Sequence, residues 1–245
     1  MGRTTEGATT TLGLLLALTF STGVIDAVGY LGLDRVFTGN MTGNVVILGM
    51  ALTGAADLPV VGPVVALAGF MAGAAAGGRA LRGVAAGWTP RTTWLLTSTA
   101  LLILAAAVAT VAADEHTAPV QAVVTTTLGV AMGVQAAAAR HLAVKDVTTV
   151  VVTSTLTGLA ADSWLGARTG QRWRRRAGAV VLIGAGAAAG ALLLLAHIAL
   201  GMLLPFLITL TVALVGHRGA QRPGPEHAAA AGPAHPLTTD QGSRL

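Results

Sequence analysis

Residues 177–216 read AGAVVLIGAGAAAGALLLLAHIALGMLLPFLITLTVALVG and contain no charged side chain when His197 is neutral. A helix needs about 20 apolar residues to cross the hydrocarbon core of a bilayer. This stretch has about twice that length, so it must fold back on itself. We expect the turn between His197 and Gly201, and the stretch therefore predicts two membrane-spanning helices.

The composition of the whole chain points the same way. Hydrophobic residues make up 53% of the 245 positions and charged residues only 10%, whereas a soluble domain carries about 25% charged residues. Cysteine is absent, which excludes disulfide scaffolds, thiol catalysis and cysteine zinc sites. The net charge of +5 comes from short basic clusters between apolar runs, a pattern that orients membrane proteins. We therefore expect a lipid bilayer as the partner and no nucleic acid.

Charged residues divide the rest of the chain into further spans. The expected spans are 11–31, 58–78, 92–113 and 119–139, followed by the two within 177–216. They predict an all-α, polytopic helical membrane protein with about six transmembrane helices in a single domain over 11–216. We expect residues 1–10 to form a short cytoplasmic N-terminus. The Pro-, Gly- and His-rich stretch 217–245 has no apolar periodicity and is expected to be a disordered tail.

Two segments, 37–53 and 147–163, start with hydroxyl and small residues and are short for a crossing. Arginine-rich loops of membrane proteins are cytoplasmic, which places loops 79–92 and 164–176 inside and loop 114–118, without Arg or Lys, outside. If segment 147–163 crossed, the arginines of 164–176 would lie outside. We therefore expect two short re-entrant or broken helical segments and both termini in the cytoplasm. Eight crossings are the alternative.

The two short segments also correspond in position along the chain. A shift of 111 residues brings Thr38 onto Thr149 and Thr42 onto Thr153. Each half of the chain, about 11–113 and 119–216, then reads long span, irregular segment, span, span. Three crossings per half predict a 3+3 inverted repeat, which is the layout of many transporters whose site lies where broken helices meet.

The sharpest local motif is the tandem Thr38-Gly39-Asn40-Met41-Thr42-Gly43-Asn44. On a helix, a spacing of four stacks each residue type on one face. The two glycines would then form a groove for close packing, the two asparagines an amide ladder and the two threonines a hydroxyl row. One interpretation is a polar lining that faces a solute, and the alternative is a packing face whose threonines bond back to the backbone. The second-half candidates for the same pathway offer hydroxyls only and are Thr149, Thr153 and Thr155.

Two polar residues lie inside predicted spans. A carboxylate near the centre of a span costs about 3 kcal/mol, so Asp26 is expected to face the protein interior or a cavity. It is a candidate proton- or cation-coupling residue. The alternative is a structural Asp near a helix end that reaches water or pairs with Arg35 or Arg140. Gln135 is a further candidate for the pathway, although a residue of this kind more often makes an interhelical hydrogen bond.

Glycine and arginine clusters predict contacts outside the pathway. Gly69, Gly73 and Gly77 form a small-xxx-small ladder, which predicts a helix-packing face within the chain or between the subunits of a homo-oligomer. A basic cluster precedes the fifth span and is expected to orient the chain and to touch anionic lipid. It consists of Arg172, Arg174, Arg175 and Arg176.

The stretch from Gly23 to Ala27, the residue Tyr30, and the stretch from Val36 through the tandem resemble the signature of the YoaK family of bacterial inner-membrane proteins. The resemblance implies a multi-pass protein of the bacterial cytoplasmic membrane. The family is a domain of unknown function, so the resemblance implies no substrate and no mechanism.

These observations favour a transporter or channel for an unidentified small solute or ion, with the tandem lining the pathway and Asp26 as its coupling residue. The alternative is a non-transporting membrane scaffold or a subunit of a membrane complex, whose glycine faces simply pack. We expect no enzymatic activity, no cofactor and no metal site. The chain contains no H-E-x-x-H motif, no G-x-S-x-G motif and no clustered carboxylates.

Overall fold

The computed structural model describes residues 2–54, 57–113, 117–142, 152–163, 166 and 173–221. Regular structure within these ranges is entirely α-helical, so the predicted all-α class is confirmed. The helices are α1 (Gly2–Gly32), α2 (Met41–Ala51), α3 (Val61–Ala80), α4 (Pro90–Ala112), α5 (Ala118–Leu142), α6 (Val152–Ala161), α7 (Trp173–Leu194) and α8 (Ile198–Gln221).

Six of these helices are long and apolar enough to cross a membrane. The candidate spans are Thr9–Gly32, Val61–Ala80, Pro90–Ala112, Ala118–Leu142, Arg175–Leu194 and Ile198–Gln221. Helices α2 and α6 have only 11 and 10 residues. At 1.5 Å per residue each is about 15 Å long, roughly half the thickness of the hydrocarbon core. The chain is therefore a polytopic helical membrane protein with six candidate spans and two short helices.

The turn between the last two spans lies slightly earlier than predicted. Helix α7 ends at Leu194 and α8 begins at Ile198, whereas the sequence placed the turn between His197 and Gly201. The reason is that His197 itself caps α8, since its Nδ1 accepts a hydrogen bond from the amide of Ala199 (3.0 Å).

The last span also extends further than predicted. Helix α8 runs to Gln221, so residues 217–221, which were expected to open the disordered tail, are helical. The remainder of that tail, 222–245, lies outside the described residues.

Glycines bring α3 and α5 into close contact. A Cβ added at Gly69 would lie 2.7 Å from the carbonyl oxygen of Thr126, and one added at Gly73 would overlap the carbonyl oxygen of Val130. Residue numbers at the contact increase in the same direction on both helices, since Gly69 faces Thr126 and Gly73 faces Val130. Helices α3 and α5 are therefore parallel. The ladder of Gly69, Gly73 and Gly77 is therefore a helix-packing face, as predicted, and it packs within the chain.

A second seam of the same kind joins α1 and α7. A Cβ added at Gly186 would overlap the carbonyl oxygen of Phe20, and one added at Gly190 would lie 2.7 Å from that of Val24. Here too the contact positions rise together, so α1 and α7 are parallel.

Helix α1 runs antiparallel to α5. Leu15 and Leu18, in the first half of α1, share a hydrophobic cluster with Leu142 at the end of α5. Ile25, farther along α1, shares another cluster with Leu128 in the middle of α5. Because α3 follows the direction of α5 and α7 follows that of α1, α3 opposes α1 and α7 opposes α5.

The two short helices therefore each connect long helices of opposite direction. Helix α2 lies between α1 and α3, and α6 lies between α5 and α7. A full crossing by either short helix would make its flanking helices parallel. The helix directions thus agree with six crossings and two short segments that do not cross, and they disagree with the eight-crossing alternative.

Alternation of the helices gathers most arginines at one end of the bundle. Helices α4 and α8 are antiparallel, since Thr93 near the start of α4 lies 3.4 Å from His217 near the end of α8. The arginines at the shared end are Arg79, Arg82, Arg91, Arg140, Arg175, Arg176 and Arg218. The described charges at the opposite end are Asp34, Arg35 and Asp57. We call the end with the seven arginines the arginine-rich end.

Candidate functional site

The chain turns back into the bundle directly after α1. Residues 33–40 run back along this helix, and the amide of Val36 donates a hydrogen bond to the carbonyl of Gly29 (3.3 Å). The side chain of Asn40 then caps α2 by accepting a hydrogen bond from the amide of Gly43 (3.3 Å). The turn that leads into α2 therefore lies against α1.

The carboxylate of Asp26 holds this turn. Its Oδ1 accepts hydrogen bonds from the backbone amides of Thr38 (3.0 Å), Gly39 (2.7 Å) and Asn40 (3.3 Å). The residue is only 8% exposed, and burying a carboxylate costs free energy unless hydrogen bonds compensate for lost water. Three charge-assisted hydrogen bonds and the positive end of the α2 dipole provide that compensation.

Asp26 faces the protein interior, as predicted, but it does so without an arginine partner. In the described part of the chain, all the hydrogen bonds to its carboxylate are donated by backbone amides and accepted by Oδ1. The suggested pairing with Arg35 or Arg140 is therefore wrong. The other carboxylate oxygen, Oδ2, receives no hydrogen bond from any described residue and keeps its capacity to accept one.

Asn44 closes the same turn from the helix side. It is fully buried, and its side-chain amide bonds to both polar backbone groups of one residue. The amide of Phe37 donates to Asn44 Oδ1 (2.8 Å), and Asn44 Nδ2 donates to the carbonyl of Phe37. Asn44 thereby satisfies backbone groups that would otherwise lie unpaired inside the bundle.

The tandem therefore does not form the three helical rows that its spacing predicts. Helix α2 begins at Met41, and the backbone of Asn40 is not helical (φ −92°, ψ 80°). The two asparagines have different roles. Asn40 is an exposed N-cap of α2, whereas Asn44 is buried and hydrogen-bonds to the backbone of Phe37. The two threonines also separate, since Thr38 is buried and Thr42 exposed. The amide ladder and the hydroxyl row are thus wrong, because the amides of residues 38–40 are bound to a carboxylate instead of lying within a helix.

The two glycines of the tandem pack against different partners. A Cβ added at Gly39 would lie 2.8 Å from Thr22 Cγ2 and 3.3 Å from Met132 Cε. A Cβ added at Gly43 would lie 2.6 Å from the ring of Phe37. Both positions therefore require glycine for packing, as predicted, but they do not share one groove.

Gln135 joins α5 to α1. It is fully buried, and its Nε2 donates a hydrogen bond to Thr22 Oγ1 (3.2 Å). The hydroxyl hydrogen of Thr22 is used on the carbonyl of Leu18 (2.9 Å), so this hydroxyl can only accept from Gln135, which fixes the orientation of the amide. The expected interhelical hydrogen bond is present, and Gln135 Oε1 points elsewhere.

Two buried side-chain oxygens, one on α5 and one on the re-entrant turn, have no hydrogen-bond partner among the described residues. They are Gln135 Oε1 and Thr38 Oγ1, and both residues are fully buried. Buried polar atoms are almost always paired. Thr22 and Asp26 lie beside Gly39, Gln135 bonds to Thr22, and the amide of Thr38 bonds to Asp26. We call these four residues the α1–α5 polar cluster. It is where α1, α5 and the re-entrant turn meet.

The second-half candidates do not join this cluster. Helix α6 packs on α7, and of its candidates Thr153 is exposed and Thr155 half-buried. Thr149 lies outside the described residues. The structure therefore groups the candidates of the first half with Gln135, but not those of the second half.

The basic cluster before α7 is described only in part. Arg176 forms an ion pair with Asp162 at the end of α6, and Arg175 is exposed. Arg172 and the side chain of Arg174 lie outside the described residues. The lipid contact of these arginines stays a prediction.

Sequence reasoning missed Thr22 as a member of the cluster. A signal existed, because Thr22 and Asp26 are four residues apart on α1 and so share one face of that helix. Met132 was also missed, and its spacing of three from Gln135 likewise places both on one face of α5.

Comparison with known proteins identifies the family but not the activity. Residues 14–215 match the model of a family described as "Protein of unknown function (DUF1275)". The UPF0700 transmembrane protein YoaK of Bacillus subtilis (strain 168) is 33% identical over 153 residues, which are 61% of this chain and 65% of that relative. The match thus spans slightly less than two thirds of the relative's length. No solved structure matches. The chain belongs to the DUF1275 family, and the resemblance to the YoaK family is confirmed.

Proposed function

We propose that the protein is a transporter or channel for a small solute or ion, with its pathway beside the α1–α5 polar cluster. One observation carries this proposal: the re-entrant turn at residues 38–40 gives its backbone donors to a buried carboxylate among the six candidate spans. Irregular backbone at membrane depth is tolerated only where it is buried in protein or lines a water-filled cavity. Ionisable residues in such places mark ion and substrate pathways.

Similar glycine contacts in the two halves of the chain support the proposal. Gly23 of α1 lies against the carbonyl of Ile183 and the amide of Ala187 on α7. Gly133 of α5 lies in the same way against Phe70 and Ala74 on α3. Gly23 and Gly133 are 110 residues apart, and the residues that face them on α3 and α7 are 113 apart. Both separations are close to the predicted shift of 111. Because α1 and α5 are antiparallel, such a repeat is inverted, and transporters place their sites where inverted halves meet.

The charge distribution supports an orientation. The arginine-rich end would face the cytoplasm of a bacterial cell, since cytoplasmic loops carry the excess of Lys and Arg. Both termini of the bundle, at the start of α1 and the end of α8, lie at this end. The exposed Arg175, together with its neighbours in the basic cluster, would then meet anionic lipid headgroups.

The test is solute flux in liposomes that contain the purified protein. A library of small ions and solutes is applied across an imposed pH or salt gradient, with protein-free liposomes as the blank. We expect one class of solute to move, and Gly39→Leu to abolish its movement by pushing aside Thr22 and Met132, since even a Cβ at this position would lie 2.8 Å from Thr22 Cγ2. Gly13→Leu is the matched control, because nothing lies within 4 Å of a Cβ at Gly13. Flux that is equal in Gly39→Leu and the parent would contradict the proposed pathway.

A membrane scaffold is the second candidate, and one observation favours it. The side-chain hydrogen bonds of Asn40 and Asn44 all stay within residues 37–44, so these two side chains are explained without any solute. The scaffold interpretation leaves the unpartnered atoms of Thr38 and Gln135 unexplained. Absence of flux for every solute, combined with co-purification of a membrane partner, would place this candidate first.

A further inference from the structure

We infer that Asp26 is a protonation switch on the re-entrant turn: the ionised carboxylate holds residues 38–40 against α1, and a proton on Oδ2 releases them. The release uncovers the part of α1 around Thr22, against which Gly39 lies. The use of this movement as the gate of a pathway rests on the proposed function, whereas the movement itself does not.

The attachment of the turn to α1 depends largely on one oxygen atom. Three of the four hydrogen bonds that join residues 36–40 to α1 are donated by consecutive backbone amides to Asp26 Oδ1. The fourth runs from the amide of Val36 to the carbonyl of Gly29 and lies before the turn. A change in the strength of Oδ1 as an acceptor therefore acts on most of this attachment.

The number of donors on Oδ1 suits a charged oxygen better than a neutral one. A carboxylate readily accepts two or three backbone N–H bonds, whereas the carbonyl oxygen of a protonated carboxyl group has two lone pairs. Protonation of Asp26 therefore leaves one of the three amides without a partner. The hydrogen bonds that remain lose their charge assistance, which is about half of their strength.

The second carboxylate oxygen, Oδ2, can take up the proton. No described residue donates a hydrogen bond to it, so a proton there displaces no donor. The fully buried side-chain oxygens without a partner are Thr38 Oγ1, Thr125 Oγ1 and Gln135 Oε1, and Asp26 Oδ2 is not one of them. Because Oδ2 has no partner either, it keeps some accessible surface, through which water can deliver or remove the proton.

The elements packed against α1 around Asp26 present neutral residues there. They are the turn itself, Met132 of α5, Gly190 of α7 and Gly201 of α8. The ionisable residues nearest along the chain are Tyr30, Asp34 and Arg35, and the hydrogen bonds to the Asp26 carboxylate come from none of them. A response of this turn to pH would therefore report on Asp26.

Helix α2 adds little to the hold on the turn. It buries only Asn44 and Ile47, and the side chain of Asn44 bonds to Phe37 of the same segment, so the turn and the start of α2 can move together. The buried hydroxyl of Thr38 has no partner while the turn is closed. It gains water when the turn is released, which lowers the free energy of the released state.

The experiment compares the reactivity of a cysteine at Thr38 with and without the charge of Asp26. Thr38→Cys keeps the backbone amide, and its reaction with a small hydrophilic thiol reagent is followed in detergent. In Asp26→Asn, which is neutral and nearly the same shape, we expect this reaction to be about tenfold faster or more. Asp162→Asn, which neutralises the carboxylate beside the other short helix, is the matched control and should leave the rate unchanged.

A pH series tests the switch with Asp26 intact. The rate at Thr38→Cys is divided by the rate at Thr42→Cys, an exposed position on the same segment, which corrects for the ionisation of the thiol. The ratio should rise as the pH falls, because protonation releases the turn. In Asp26→Asn the ratio should be high at every pH.

The outcomes separate the switch from a structural role and from the proposed function. An unchanged Thr38→Cys rate in Asp26→Asn, or a constant ratio over pH in the parent, overturns the switch. An equal acceleration at Thr125→Cys, which is also buried, shows general loosening and overturns it too. If Asp26→Asn does not fold, the pH series in the parent decides. A pH-dependent ratio without flux would contradict transport and leave the switch standing, whereas flux with a constant ratio would do the reverse.

Discussion

The two short helices occupy corresponding places in the chain, yet they are held by different chemistry. Helix α2 buries Asn44 and Ile47, and its start is bound by the carboxylate of Asp26 inside the bundle. Helix α6 has no buried side chain among its described residues. It is tied to α7 by the ion pair of Asp162 with Arg176, at the arginine-rich end.

Similar helix packing in the two halves therefore need not bring similar polar sites with it. Glycine seams hold both parallel helix pairs together, α3 with α5 and α1 with α7. The buried carboxylate of Asp26 and the turn that it binds lie in the first half of the chain. A pathway beside the α1–α5 polar cluster would therefore be built by the first half, to which the second half contributes Gln135.

The largest expected effect concerns the side of the membrane from which the two ends of α2 can be labelled. If α2 turns back, cysteines placed at Arg35 and Thr53, which flank it, should react with an impermeant thiol reagent from the same side of the membrane. A cysteine at Ala86, in the loop between α3 and α4, should react only from the other side. The absence of native cysteine makes single-cysteine labelling clean.

Labelling of Arg35→Cys and Thr53→Cys from opposite sides would mean that α2 crosses the membrane. The comparison of α2 with α6 as two non-crossing helices would then fail.

The next effect is the loss of the carboxylate that holds each short helix. Asp26→Ala should destabilise the protein by about 3–5 kcal/mol, because three buried amides lose a charged acceptor. Asp162→Ala should cost at most about 1 kcal/mol, since exposed ion pairs contribute little; the Asp162 side chain is 38% exposed. Chemical or thermal unfolding in detergent measures both. Equal losses for the two variants would show that α2 is held no more firmly than α6.

The glycine seams should respond alike in the two halves. Gly23→Ala and Gly133→Ala each drive a Cβ into a carbonyl oxygen of the facing helix, so each should cost about 1–3 kcal/mol of unfolding free energy. Gly13→Ala, with nothing within 4 Å of its Cβ, should be neutral or stabilising by up to about 1 kcal/mol. A large loss at one seam with none at the other would argue against corresponding halves.

The smallest effect is at the start of α2. Asn40→Ala removes the side-chain cap and should cost about 1 kcal/mol, as measured by unfolding. Thr153→Val, on the exposed face of α6, should change stability by less than about 0.5 kcal/mol. A Thr153→Val loss as large as that of Asn40→Ala would show that α6 is more closely packed than its exposure indicates.

The spans and the burial of Asp26 could be predicted from the sequence, because both follow from the free energy of transferring individual side chains into the membrane. Long uncharged runs identify spans, and a carboxylate within one of them must be compensated. The turn at Thr38–Asn40 could not be predicted, since the donors that bind Asp26 are backbone amides and leave no side-chain pattern. The interpretation of the tandem as one helix assumed that the amides of residues 38–40 belong to a helical backbone. If the two glycine seams correspond, α1 and α5 are related by a shift of 110 residues and α3 and α7 by 113. The single shift of 111 lies between these two values.

The most direct test of the proposed pathway is the reactivity of a cysteine at Thr38. Thr38→Cys is nearly isosteric, and the residue is buried beside Asp26 with an unpartnered hydroxyl. Thr125→Cys is equally buried but lies away from the cluster. If solute moves past the cluster, a small hydrophilic thiol reagent should modify Thr38→Cys in the membrane, whereas Thr125→Cys should stay unmodified. A folded Thr38→Cys variant that is as inert as Thr125→Cys under every gradient and salt would contradict a pathway there.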